Sequence, residues 1–219
     1  MLKIGHRGAK GYVAENTLAS FEKALTLNVD AVELDVHLSS DKVVMVIHDD
    51  TVTRTTTKTG FVSEFMAFEL NQMGVPTLEN VLDLIKQKCI VNIEIKEAKA
   101  TLEVLRIIEK YVSDHQWNYS QFQISSFIWE VLKEVSSTNT AIRTGVLTED
   151  SIKKALAFAK KNACFSINPY FKLLNTENIQ LIRENGFKIY PWTVNSEEDL
   201  IFVKSLEVDG IISDVPDRI

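Results

Sequence analysis

The sequence predicts an α/β fold: a (β/α)8 TIM barrel with an extra antiparallel hairpin strand after the second strand. Three observations lead to it. Short apolar strand-like runs alternate with helical stripes along all 219 residues, a pattern that builds a parallel sheet covered by helices. Once one run is set aside as the return limb of a hairpin, eight runs remain, and eight βα units close into a barrel. No Gly-x-Gly-x-x-Gly turn supports the open, doubly wound alternative.

The first strand, Leu2 to His6, breaks at Gly5-His6-Arg7-Gly8, where two glycines let the backbone turn sharply and leave His6 and Arg7 at a strand's C-terminal end. Asn16-Thr17 then caps a helix whose apolar stripe is Leu18, Phe21 and Leu25. Between Val32 and Asp50 two apolar runs are joined only by Leu38–Val43. Parallel strands need a crossover of a dozen or more residues, so these two must pair antiparallel. With Asp41-Lys42 as a two-residue turn, Asp35 falls opposite His48. Glu33 and Asp35 share a face because strand side chains alternate.

Residues 51–75 lack strand periodicity and form a threonine-rich loop followed by a short helix over Glu64 to Gln72, a small cap insert on the barrel. Its Phe61, Phe65, Met66 and Phe68 are expected to build a local mini-core in preference to a lid. From Pro76 the alternation becomes regular. Thr77 caps a helix with Leu78, Val81, Leu82 and Ile85 on one face. Strands follow at Ile90–Lys96, Phe122–Ser126, Ala141–Leu147, Cys164–Asn168, Phe187–Val194 and Asp209–Asp214. Helices fall between them at Thr101–Ser113, Ile128–Ser136 and Ser151–Lys160, from Thr176 to a stop at Asn185-Gly186, and from a Ser196/Asp199 capping box to Ser205. Nothing reads as a linker, so one domain is expected over residues 1–219.

A 45% hydrophobic and 25% charged composition is that of a soluble globular protein. The net charge of −6 and the lack of a basic run argue against nucleic acid as a partner. Cys89 and Cys164 stand alone and are expected to be buried and reduced. No stretch approaches the roughly 20 apolar residues of a membrane span, and the first residues do not read as a signal peptide. A cytoplasmic location without stable membrane association is the expectation.

In barrels of this class chemistry sits at the C-terminal ends of the strands. The polar residues there are His6, Arg7, Glu33, Asp35, Glu94, Lys96, Ser125, Ser126, Asn168, Asn195 and Asp214. Buried carboxylates are costly unless paired or metal-bound. Glu33, Asp35 and Glu94, with only Arg7 and Lys96 nearby, therefore suggest one bound divalent cation; a purely structural ion-pair network is the alternative. Oxygen-only ligation favours Mg²⁺ or Ca²⁺, with Mn²⁺ a further option. His6 and His48 lie at strand ends beside the acids, where imidazoles exchange protons near neutral pH. A cation, an arginine, a lysine and two proton-transfer groups in one mouth suit an anionic phosphoryl group.

At these residues the chain resembles the glycerophosphodiester phosphodiesterase family. The likeness runs through His6-Arg7-Gly8, Glu15-Asn16-Thr17, Glu33-Leu34-Asp35-Val36, His48-Asp49 and Arg54-Thr55-Thr56. It continues in Pro76-Thr77-Leu78-Glu79, Asn92-Ile93-Glu94-Ile95-Lys96, Ser126-Phe127, Trp192-Thr193-Val194-Asn195 and Gly210-Ile211-Ile212-Ser213-Asp214. The resemblance implies a (β/α)8 barrel that hydrolyses small glycerophosphodiesters to sn-glycerol 3-phosphate and an alcohol. It implies a divalent cation on Glu33, Asp35 and Glu94, with His6 and His48 as the acid–base pair. Arg7 and Lys96 map to phosphate contacts and Trp192 to the wall beside the glycerol or head group. A lysophospholipase-D-like activity on acylated substrates and a non-catalytic phosphate-ester-binding barrel are the alternatives. The chain departs from the family in its shorter segment before Pro76, in Asp41-Lys42 where the family has Asp-Gly, and in Ser213 and Val215.

Overall fold

The computed structural model describes residues 1–219. Its strands are β1 (Leu2–Gly5), β2 (Ala31–Leu38), β3 (Val44–Val46), β4 (Ile90–Ile95), β5 (Phe122–Ser126), β6 (Arg143–Thr148), β7 (Ser166–Pro169), β8 (Lys188–Ile189) and β9 (Gly210–Ser213). They pair in the order β8-β7-β6-β5-β4-β2-β1-β9, all parallel, with β3 antiparallel on the side of β2. The seam between β8 and β9 is bridged where the Asp209 amide donates to the Ile189 carbonyl at 3.2 Å and the Ile212 amide to the Pro191 carbonyl at 3.0 Å. The eight parallel strands thus form a nearly closed barrel of TIM type with β3 outside the ring. The strand expected over 187–194 contracts to two residues: the Tyr190 and Trp192 amides still donate to the Ile167 and Pro169 carbonyls, but Pro169 on β7 has no N–H to return a bond.

The helices are α1 (Leu18–Thr26), α2 (Ala67–Gln72), α3 (Leu78–Ile85), α4 (Thr101–Asp114), α5 (Trp129–Thr138), α6 (Ile152–Lys161), α7 (Thr176–Glu184) and α8 (Glu197–Ser205). Side chains of Thr17, Thr77, Ser151, Asn175 and Ser196 accept from first-turn amides of α1, α3, α6, α7 and α8, which would otherwise lack partners. On α1 the buried face is Ser20, Phe21 and Ala24, and Leu18 is exposed, contrary to the predicted stripe. The helix is rotated to set small residues beneath the β1 turn: the Ser20 hydroxyl accepts from the Ala9 amide and donates to the Arg7 carbonyl.

A 46-residue apolar cluster fills the space between the sheet and its helices and inside the hairpin. A second cluster of seven residues, Met45, Ile47, Val52, Val62, Ala67, Leu70 and Val75, anchors the 51–75 insert. The expected mini-core therefore exists, but of the four predicted residues only Phe65 packs on it, while Phe61, Met66 and Phe68 are exposed. Spacing on the short α2 explains this: Ala67 and Leu70 share its inner face, which turns Phe68 outward. Cys89 and Cys164 are buried, free thiols.

The hairpin register differs by one residue from expectation. Val36, His37 and Leu38 pair with Val46, Met45 and Val44, so Asp35 lies opposite Ile47, whose amide donates to the Asp35 carbonyl at 3.0 Å. The loop holds Ser40, Asp41 and Lys42, with Lys42 in the left-handed region at φ 65°, a turn that adds one residue to the tight two-residue form. Ser39 closes it: its hydroxyl donates to Asp41 Oδ1 at 2.6 Å and accepts from the Val43 amide at 2.9 Å.

Candidate active site

The site grows from the turn after β1. A Cβ on Gly5 would stand 2.2 Å from the Gly8 carbonyl oxygen, and one on Gly8 (φ 87°) 2.5 Å from Ser20 Oγ. Only glycine permits so tight a return. Arg7, between them, takes the left-handed φ of 50°, which aims its amide at Glu33 Oε2, 3.0 Å away. Glu33 and Asp35 on β2 and Glu94 on β4 face the barrel interior together, Asp35 and Glu94 being parallel neighbours in register. One oxygen from each lies within 4.8 Å of the others, and all three residues are buried.

Each carboxylate is steered by one oxygen. Arg7 N–H holds Glu33 Oε2; Asn16 Nδ2 donates to Asp35 Oδ2 at 2.9 Å; Lys96 Nζ donates to Glu94 Oε1 at 2.7 Å. Glu33 Oε1 and Asp35 Oδ1 remain buried without a hydrogen-bond partner. Arg7 Nε stands 3.2 Å from Asp35 Oδ2 and Lys96 Nζ 3.6 Å from Asp35 Oδ1. Burial pushes Glu33 well above the usual carboxylate range, reinforced by Asp35 and Glu94. Burial and then Asp35 push Glu94 up to about 7, against the pull of Lys96. Burial would raise Asp35 as well, but Arg7 and Lys96 outweigh it and hold that carboxyl low. Three close acids facing two cations cannot all ionise without further positive charge. Converging carboxylate oxygens, with an unpartnered oxygen left on both Glu33 and Asp35, are hard donors of the kind Mg²⁺ or Ca²⁺ takes. The residues fit a divalent cation.

Both histidines present themselves in the same way. His6 Nδ1 is 2.6 Å from Asp214 Oδ1, and His48 Nδ1 is 2.6 Å from Asp49 Oδ1. Each carboxylate takes the Nδ1 proton, which leaves Nε2 for the site. His6 Nε2 lies 3.9 Å from Glu33 Oε2, and His48 Nε2 is 3.2 Å from Lys96 Nζ. Burial lowers both imidazoles despite these carboxylates. His48 reaches Lys96 in spite of the shifted register because β3 ends at Val46 and the chain leaves the sheet before residue 48. His37 is buried elsewhere, its Nε2 3.2 Å from the His48 carbonyl.

A cavity of about 90 Å³ opens over these groups. Every residue assigned a site role from the sequence lines it except Asp35, which lies beneath. Trp192 forms one wall, its Nε1 donating to the Asn168 carbonyl at 2.8 Å and its ring meeting Phe127 edge-on at 5.4 Å. Residues without a role in the sequence reading also converge here. Asn16 orients Asp35; Asn195 Nδ2 donates to Asp214 Oδ2 at 2.8 Å; Asp49, Glu15 and Arg54 form a charged chain behind His48. In the sequence Asn195 and Asp214 stand out as polar strand ends, and Glu15, Asn16, Asp49 and Arg54 within motifs of the family resemblance.

The glycerophosphoryl diester phosphodiesterase family model matches residues 6–218. A glycerophosphodiester phosphodiesterase of Caldanaerobacter subterraneus subsp. tengcongensis is 33% identical across 100% of this chain and 96% of its own length. A Bacillus subtilis protein named a putative glycerophosphodiester phosphodiesterase is 32% identical across 100% and 96%. The crystal structure of the Thermotoga maritima glycerophosphodiester phosphodiesterase superposes with a TM-score of 0.86 at 29% identity, covering 99% of this chain and 96% of that one. Fold, site and sequence agree, and the chain belongs to the glycerophosphoryl diester phosphodiesterase family.

Proposed function

We propose that the protein hydrolyses small glycerophosphodiesters to sn-glycerol 3-phosphate and an alcohol, with a divalent cation, Mg²⁺ or Ca²⁺, held by Glu33, Asp35 and Glu94. The observation that carries this reading is the pairing of converging, partly unsatisfied carboxylates with two carboxylate-backed imidazoles in one cavity. When bound, the cation supplies positive charge against the phosphate oxygens. Arg7 and Lys96 add the protein's own cations beside that position and hold the diester in place. One imidazole accepts the proton of the attacking hydroxyl, whether of water or of the substrate's glycerol, and the other donates a proton to the departing alkoxide. The two Nδ1 contacts turn both Nε2 atoms to the cavity: the base presents Nε2 unprotonated, and the acid presents it protonated, as the imidazolium. Trp192, with Phe127 behind it, offers an apolar wall to the glycerol or head-group carbons.

The cationic and acidic lining of the cavity supports a small phosphodiester as the substrate class; nucleic acid is not an expected partner. No helix is long and apolar enough to cross a membrane. The test is hydrolysis of glycerophosphocholine by the purified chain, with products identified in the presence of Mg²⁺ or Ca²⁺ and after EDTA. The expected result is glycerol 3-phosphate and choline, lost on chelation. Release of phosphocholine and glycerol, or activity indifferent to EDTA, overturns the proposal.

A further inference from the structure

Behind His48 runs a continuous series of charge-assisted hydrogen bonds. Asp49 receives His48 Nδ1 through Oδ1 and also accepts Arg54 Nε on Oδ2 at 2.7 Å and Arg54 Nη2 on Oδ1 at 3.0 Å. The outer face of the same guanidinium grips Glu15, Nη1 to Oε2 at 2.9 Å and Nη2 to Oε1 at 2.7 Å. Glu15 Oε1 accepts in turn from Arg7 Nη1 at 2.7 Å. Asp49 and Arg54 lie in the segment that leaves β3, and Glu15 in the loop after β1, so two loops distant in sequence meet on one guanidinium.

The two histidines differ in this respect. Asp214 behind His6 is held by the neutral amide of Asn195, whereas Asp49 behind His48 is held by an arginine using both edges of its fork. A fork of this kind fixes orientation as well as charge, which a lysine cannot do. Glu15 is only 9% exposed in its side chain, although Arg54 itself is 47% exposed. Its carboxyl is drawn down to about 2: burial would raise it, but Arg54 and Arg7 prevail. An ordinary exposed ion pair contributes little to stability, whereas this guanidinium links the carboxylate behind His48 to the one that holds Arg7.

We propose that Arg54, through Asp49, and Glu15, through Arg7 and Arg54, are positioning residues that lock His48 and Arg7 into one shared frame. This rests on the proposed acid–base role of His48. Removing Arg54 frees Asp49 to rotate, and His48 Nε2 then loses its fixed aim at the cavity. Removing Glu15 frees Arg7 as well.

The test is a double-mutant cycle on glycerophosphocholine hydrolysis by the metal-loaded enzyme, using Arg54→Gln, Asp49→Asn and both together, with Glu15→Gln and His48→Ala alongside. Thermal melts confirm folding of each variant. Loss of a group that orients a catalytic side chain costs about 10–100-fold in activity. Arg54→Gln and Asp49→Asn should each lower kcat by about that factor at nearly constant KM, and the double variant should be no slower than Asp49→Asn alone. Glu15→Gln should also raise KM. Arg54→Gln with unchanged kcat, or losses that simply multiply in the double variant, overturns the positioning role while leaving the proposed reaction intact. A fully active His48→Ala variant overturns both.

Discussion

The sharpest consequence of the carboxylate cluster concerns stability without metal. Glu94 is pushed up to about 7 from an ordinary 4.5, a shift worth about 3 kcal/mol of linkage between folding and protonation. Because the folded-state value is the raised one, this stability is fully present below pH 4.5 and is lost as pH rises through about 7. Metal-free protein should therefore weaken between pH 5 and 8 by more than a Glu94→Gln variant does, since glutamine keeps an acceptor for Lys96 but does not titrate. For a chain of this length, about 3 kcal/mol corresponds to roughly 6–12 °C in Tm. The assay is thermal or urea unfolding in EDTA at both pH values for wild type and variant. Identical pH slopes in the two proteins would refute the reasoning.

Three further outcomes are expected. His6→Ala and His48→Ala should each slow turnover of glycerophosphocholine by about 10²–10⁴-fold, measured as kcat; a near-normal rate removes that residue from the mechanism. Glycerophosphocholine should be turned over in preference to lysophosphatidylcholine, although Phe61, Met66 and Phe68 are exposed on the insert; preference for the acylated substrate in a parallel kcat/KM comparison would move the enzyme to a lysophospholipase-D-like class. Gly8→Ala should destabilise the protein by about 2–4 kcal/mol in urea unfolding, because a methyl group there combines a left-handed φ with overpacking against Ser20; a change below about 1 kcal/mol contradicts the account of that turn.

The barrel was readable because its strands are short apolar runs and its helices carry capping residues such as Thr77 and Ser196 at their starts. The candidate site was readable because Glu33, Asp35, Glu94 and Lys96 interrupt runs that are otherwise mostly apolar. The hairpin was legible as a hairpin but not in register. Whether Ser40 joins Asp41 and Lys42 in the loop depends on Ser39 and Asp41 closing it with side-chain hydrogen bonds, which periodicity does not record. Similarly, the insert's core uses Val52, Val62, Ala67 and Leu70 in place of the more conspicuous aromatics, because a six-residue helix can bury only one face. The groups behind the histidines lay beyond local reading. Asp214 meets His6 across nearly the whole chain, and Arg54 meets Glu15 across an intervening strand pair. Such contacts are created by barrel closure and loop convergence and leave little trace in spacing.

The central claim is that Glu33, Asp35 and Glu94 hold a cation against a phosphate cradled by Arg7 and Lys96. A crystal structure of the protein soaked with Ca²⁺ and sn-glycerol 3-phosphate tests it most directly. The expected result is one ion bonded to oxygens of all three carboxylates, with the phosphate between it and the two basic side chains and a phosphate oxygen toward His6 or His48. An ion bound elsewhere, or a phosphate seated away from both histidines, would contradict it.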